Sequence, residues 1–97
     1  MTGDQPLDLA ARPVFASKVR LQMDRVSKEP VLLFPEGIVQ LNATGIAIAQ
    51  YCDGHHAIQE IVEELAKSYH ISTGELQGDV EEFLRALYNN SLLEFRS

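Results

Sequence analysis

Side chains able to handle metals or protons crowd together at one place, Cys52-Asp53-Gly54-His55-His56, with His70 further along. A zinc site needs three or four ligands converging on one point, and the Asp-Gly turn separates Cys52 from the histidines. The pattern therefore reads as a buried helix-face cysteine followed by surface histidines. The hydroxyls of Tyr51, Tyr69 and Tyr88 have no neighbouring group in the sequence that would activate them, which leaves packing at the rim of a core. Asp79, Glu81 and Glu82 read first as a solvated helix face, and second as a means of attracting a basic residue on a partner. No nucleophile with a base and no acid–base pair stands out, so the sequence nominates no catalytic residue, no metal and no cofactor. It argues for a binding module over an enzyme.

The composition narrows the partners. The 97 residues suit one domain, and 45% apolar with 23% charged residues is ordinary globular usage. No apolar run reaches the roughly 20 residues that span a bilayer, and the N-terminus lacks a secretory pattern. One cysteine, Cys52, excludes an internal disulfide, so a cytoplasmic protein without membrane attachment is expected. The net charge is −6, and acids gather in the C-terminal half. Nucleic-acid binding draws its affinity from neutralised phosphates, so a nucleic acid is a poor partner. A peptide or protein with positive character is a better one.

The elements that must position any site follow from periodicity. Residues 1–16 hold Gly3, Pro6 and Pro13 without a period and read as a flexible arm, leaving 17–97 as the domain. Val19, Leu21 and Met23 alternate with Arg20, Gln22 and Asp24, which predicts a strand with one buried face. Val31–Phe34 predicts a central strand, Phe34-Pro35-Glu36-Gly37 a β-turn, and Ile38–Leu41 a third strand. Three helices follow. Asn42 caps the first, whose face is Ile46, Ala49 and Cys52 widened by Ile48 and Tyr51, and Gly54 ends it. The second carries the stripe Ile58, Ile61, Val62, Leu65, Ala66 and Tyr69, with Glu63 and Lys67 paired opposite. The third opens on the capping box Ser72–Glu75 and carries Val80, Phe83, Leu84, Leu87 and Tyr88 until Asn89-Asn90. Gly45 and Gly78 weaken their helices, for which close packing is the plain reason at each, with room for a partner backbone as the alternative, more so at Gly78. Leu92–Phe95 reads as a closing strand. The fold class is α+β and winged-helix-like, a three-stranded antiparallel sheet followed by three helices (β-β-β-α-α-α).

In order, Arg12-Pro13, Val19–Asp24, LLFPEG, LN, CDG and IQEIVEELAKSY resemble the PqqD family of pyrroloquinoline quinone (PQQ) biosynthesis proteins over about Arg12 to Phe95. One departure is Ala57, where members often carry Ser or Thr before the second helix, so the cap must come from His56 or from backbone and water. The resemblance implies a peptide chaperone, a recognition element for ribosomally made, enzymatically modified peptides (RiPPs). It binds the precursor PqqA and presents it to PqqE, a radical S-adenosylmethionine enzyme that crosslinks a Glu and a Tyr of the precursor. It also implies that the guest lies as an added strand on the third strand, covered by the third helix. The candidate floor is then Ile38, Val39, Gln40 and Leu41, and the wall Leu76, Asp79, Val80 and Phe83. On that reading Val39→Pro removes a backbone donor from the open edge. A monomer is the simplest state, though exposed strands leave a domain-swapped dimer open. The alternative is a winged-helix DNA-binding protein, suggested by the three-helix order and opposed by the acids on its third helix.

Overall fold

The computed structural model describes residues 7–97. In chain order the elements are β1 (Arg12–Phe15), β2 (Arg20–Met23), β3 (Pro30–Phe34), β4 (Gly37–Gln40), α1 (Ala43–Ala49), α2 (Ile58–Tyr69), α3 (Thr73–Asn89) and β5 (Leu93–Arg96). Strands β2, β3 and β4 form the antiparallel meander expected from the alternation and the two short turns. The helices follow, which gives the β-β-β-α-α-α order inside a further pair of strands.

That further pair departs from the reading of 1–16 as an arm. Residues 1–6 lie outside the described residues, but Arg12–Phe15 is a strand that pairs antiparallel with β5, from Arg12 opposite Arg96 to Phe15 opposite Leu93. Pro13 is fully buried, and Gly54 N–H donates to its carbonyl at 2.9 Å. Gly54 therefore does not end α1, which stops at Ala49. Its positive φ of 81° lets the chain pass beneath β1, where an added Cβ would meet Arg96 Nη1 at 3.1 Å and Val14 Cβ at 3.4 Å.

The core lies between sheet and helices. Leu32, Ile48, Ile58, Ile61, Leu76, Val80, Leu84 and Leu93 are its most deeply buried members. Each large side chain so buried contributes about 1.5–3 kcal/mol, which is what holds helices too short to persist alone. The α2 stripe is buried as expected from Ile58 to Ala66, while Tyr69 is exposed. Lys67 faces Glu64 at 3.9 Å rather than Glu63, a loose exposed contact of little energetic weight. Met23, expected on the buried face of its strand, is 58% exposed because β2 runs out past the core.

Caps fix the helix starts. Asn42 Oδ1 accepts from Gly45 N–H at 2.7 Å, and Ser72 Oγ accepts from Glu75 N–H at 3.2 Å. Ala57 has no side-chain acceptor. Its place is taken by main-chain carbonyls of the N-terminal segment: Ala11 accepts from Ile58 N–H and Leu9 from Gln59 N–H, both at 3.0 Å. Glu60 accepts from Ala57 N–H at 2.8 Å and completes the turn.

Candidate strand-accepting groove

Strand β4 is one edge of its sheet, and the ladder parity decides which of its groups are open. Asp24 N–H donates to the Glu29 carbonyl at 2.9 Å, so Glu29, and with it Val31 and Leu33, turn their backbone groups toward β2. Leu32 and Phe34 then bond to β4, opposite Val39 and Gly37. Ile38 and Gln40 are left to direct their N–H and C=O away from the sheet. Val39 is paired internally, so proline there would break the β3–β4 ladder instead of removing an edge donor, contrary to the expectation from sequence.

Beside that edge lies a cavity of about 490 Å³, lined by Phe34, Val39, Gln40, Leu41, Asn42, Phe83, Ala86, Leu87, Asn90 and Leu92. Val39 and Leu41 face it from the sheet side, and Phe83, Ala86, Leu87 and Asn90 form one face of α3 at helical spacing. None of these side chains is ionisable. Asn42 and Asn90 hold fixed positions, the first by its cap bond and the second by donating Nδ2 to the Ala86 carbonyl at 2.8 Å. A second cleft of about 330 Å³ continues past Phe83 and Ala86 between α1 and α3, and there Asp79 and Glu82 join Thr44, Gly45 and Ile48. Phe83 can lie on α1 because Gly45 has no side chain: a Cβ there would stand 2.9 Å from Phe83 Cε1.

The structure brings Val39, Gln40, Leu41 and Phe83 together in the groove and places Asp79 in the adjoining cleft. Ile38 is 55% exposed on the opposite face of the strand, so only its backbone borders the open edge. Leu76 and Val80 do not line the groove. At 2% and 0% exposure they belong to the core stripe of α3, which continues through Leu84 and meets the groove face at Leu87. The apolar run of α3 contains two faces, and the wall of the groove sits nearer its C-terminus than the sequence suggested. The spacing of Phe83, Ala86, Leu87 and Asn90 was the available signal, masked because Ala and Asn add no hydrophobic periodicity.

The residues that first suggested chemistry lie apart from this groove. Cys52 is buried and its Sγ donates to the Ile48 carbonyl at 3.5 Å. Burial, with the charge of Asp53 beside it, pushes its thiol up to about 12. Slight desolvation at the surface pushes the Asp53 carboxyl up, but His56 Nδ1 at 3.0 Å and the His55 N–H at 2.8 Å outweigh this and hold it below the usual range. Among the described residues no three His, Cys, Asp or Glu side chains converge on a metal-sized site, and no helix is long and apolar enough to cross a membrane.

A small sheet whose edge strand β4 borders an apolar groove under a helix is the geometry of a binding domain, with no catalytic constellation beside it among the described residues. The chain belongs to the PqqD family: the model for coenzyme PQQ synthesis protein D matches residues 29–93, more than half of its length. It is 38% identical over 72 residues to a PqqA binding protein of Methylococcus capsulatus, covering 74% of this chain and 75% of that one. It is 35% identical over 83 residues to a PqqA binding protein of Xanthomonas axonopodis pv. citri, covering 86% and 90%. The fold is similar to the PqqD truncation of Methylobacterium extorquens PqqCD, solved by NMR and described as a stand-alone RiPP recognition element. That likeness has a TM-score of 0.73 at 28% identity and covers 84% of this chain and 87% of that one. A crystal structure of PqqD from Xanthomonas campestris aligns at TM-score 0.58 and 31% identity over 97% and 98%. The DNA-binding alternative is disfavoured, since α3 exposes Asp79 and Glu82 where a recognition helix needs donors.

Proposed function

We propose that this protein is the recognition element of PQQ precursor processing, a cytoplasmic peptide chaperone that takes PqqA as an added strand on β4 and presents it to the radical enzyme PqqE, with no reaction of its own. The observation that carries the reading is the pair Ile38 and Gln40, whose backbone groups face outward beside an apolar groove. Membership of the family and the two PqqA binding relatives support the identity of the guest.

The energetics require both parts of the site. About four edge hydrogen bonds at roughly 0.5–1.5 kcal/mol each give about 2–6 kcal/mol, and ordering a flexible peptide costs roughly 2–5 kcal/mol. Micromolar binding needs about 8 kcal/mol. The remainder must come from large apolar side chains of the guest, at about 1.5–3 kcal/mol each, set against Val39, Leu41, Phe83 and Leu87. Main-chain pairing gives the guest its direction, and the groove gives it affinity.

The test uses labelled PqqA peptide and proline placed by parity. Ile38→Pro and Gln40→Pro each remove one outward donor and are expected to weaken binding roughly ten-fold with the fold retained. Val39→Pro is expected instead to lower stability. Unchanged affinity in both edge variants, each verified as folded, sinks the pairing.

A further inference from the structure

Among the described residues the sheet has a second open edge of opposite character. By the same ladder parity Arg20 and Gln22 bond to Leu33 and Val31, so Leu21 and Met23 on β2 turn their N–H and C=O groups outward. Four of the eight Lys and Arg residues, Lys18, Arg20, Arg25 and Lys28, lie on β2 and its flanks, and all four are exposed. The one acid between them is Asp24, whose carboxylate accepts the Ser27 N–H at 3.0 Å and is thereby held in the turn. Residues 18–28 thus carry a formal charge of +3 in a chain of −6. Apolar surface accompanies the charge: Met23 is 58% and Val26 90% exposed. A cavity of about 610 Å³ lies where β2 meets β3, lined by Lys18, Val19 and Arg20 on one side and Leu33, Phe34 and Pro35 on the other.

We infer that the β2 edge is a docking edge for an acidic, extended segment of a protein partner, separate from the β4 groove. The outward groups of Leu21 and Met23 pair with the main chain of that segment, and Arg20, with Lys18 and Lys28 at either end, receives its carboxylates. A second copy of this chain does not fit the edge, because two β2 strands side by side bring their basic residues together. Bases on an edge strand also discourage unwanted pairing, and that reading predicts an edge that binds nothing. With both edges occupied the sheet has five strands, and two guests lie roughly 19 Å apart at ordinary strand spacing.

The inference stands on β2 alone and does not depend on what occupies β4. The probe is a short acetylated peptide of alternating Glu and Val, titrated into isotope-labelled full-length protein and followed by amide shifts. The expected result is a saturable shift at Leu21 and Met23, weakened in about 0.5 M NaCl as screening dictates. Binding is expected to fall roughly ten-fold in Met23→Pro and in the Arg20→Glu, Lys28→Glu double variant, and to persist in Ile38→Pro. The double variant changes only exposed side chains, so it decides the matter if the proline variant unfolds. The inference is overturned by the absence of a saturable shift, by shifts confined to Ile38 and Gln40, or by equal binding of a Lys and Val peptide. Attachment to phosphatidylserine vesicles without binding of the Glu and Val peptide overturns it as well.

Discussion

At the scale of single residues the helical glycines Gly45 and Gly78, alike in sequence, have different causes. Gly45 makes room for Phe83, since a Cβ would approach its ring to 2.9 Å, whereas at Gly78 a Cβ meets nothing within 4 Å. Close packing therefore explains the first and not the second. Gly78→Ala is expected to gain up to about 1 kcal/mol by removing a flexible residue from a helix interior, raising Tm by roughly 4–8 °C. Peptide affinity should stay unchanged, because Gly78 lines neither the groove nor the cleft beside it. Gly45→Ala is expected to cost about 1–3 kcal/mol by overpacking and to weaken peptide binding as Phe83 is pushed into the groove. Circular dichroism melts of the two variants check this, and a shift in the same direction for both would contradict the contacts.

At the scale of elements, α2 owes its start to a segment far from it in sequence. The carbonyls of Leu9 and Ala11 take two N–H groups that a Ser or Thr at Ala57 would help to satisfy, and Leu7, Leu9 and Ala11 pack against the core. Removing residues through Ala11 is expected to cost about 1–3 kcal/mol, with hydrogen exchange of the Ile58 and Gln59 amides accelerating first. Equal protection of those amides in the truncated and full chains would show that water replaces the carbonyls without loss. The same contrast shows what sequence can carry. The stripe of α2 was legible because its burial repeats locally, and the β3–β4 hairpin because Pro35 and Gly37 mark its turn. Strand β1 was not legible: Arg12-Pro13-Val14-Phe15 has no alternation, its proline argues against a strand, and its partner lies at the other end of the chain. The β4 strand itself was readable from the order of strands, while its choice as the floor of the candidate site came from the resemblance. The α3 half was not readable, because Leu76 and Val80 share the apolar run with Phe83, and only packing separates the core face from the groove face.

At the scale of the whole molecule, the three-stranded sheet joins two surfaces of unlike charge through one core. Asp79 and Glu82 stand in the cleft adjoining the β4 groove, while Lys18, Arg20, Arg25 and Lys28 surround the β2 edge. The groove itself is assembled from distant parts: Phe34 and Val39 from the hairpin, Phe83 and Leu87 from α3, and Leu92 from the approach to β5. An unfolded chain cannot reproduce that assembly, so a guest in the groove binds the folded state alone. Linkage then fixes the size of the effect. A peptide at about one hundred times its Kd adds roughly 2.7 kcal/mol, which for a domain of this length raises Tm by roughly 10–20 °C. The shift should grow with the logarithm of peptide concentration and fall to about half, roughly 1.4 kcal/mol, in Ile38→Pro at the same concentration. Thermal melts across a peptide titration measure both. A Tm that stays constant while the peptide is shown to be bound would mean that the guest holds the unfolded chain equally well, through local sequence and not through the assembled groove.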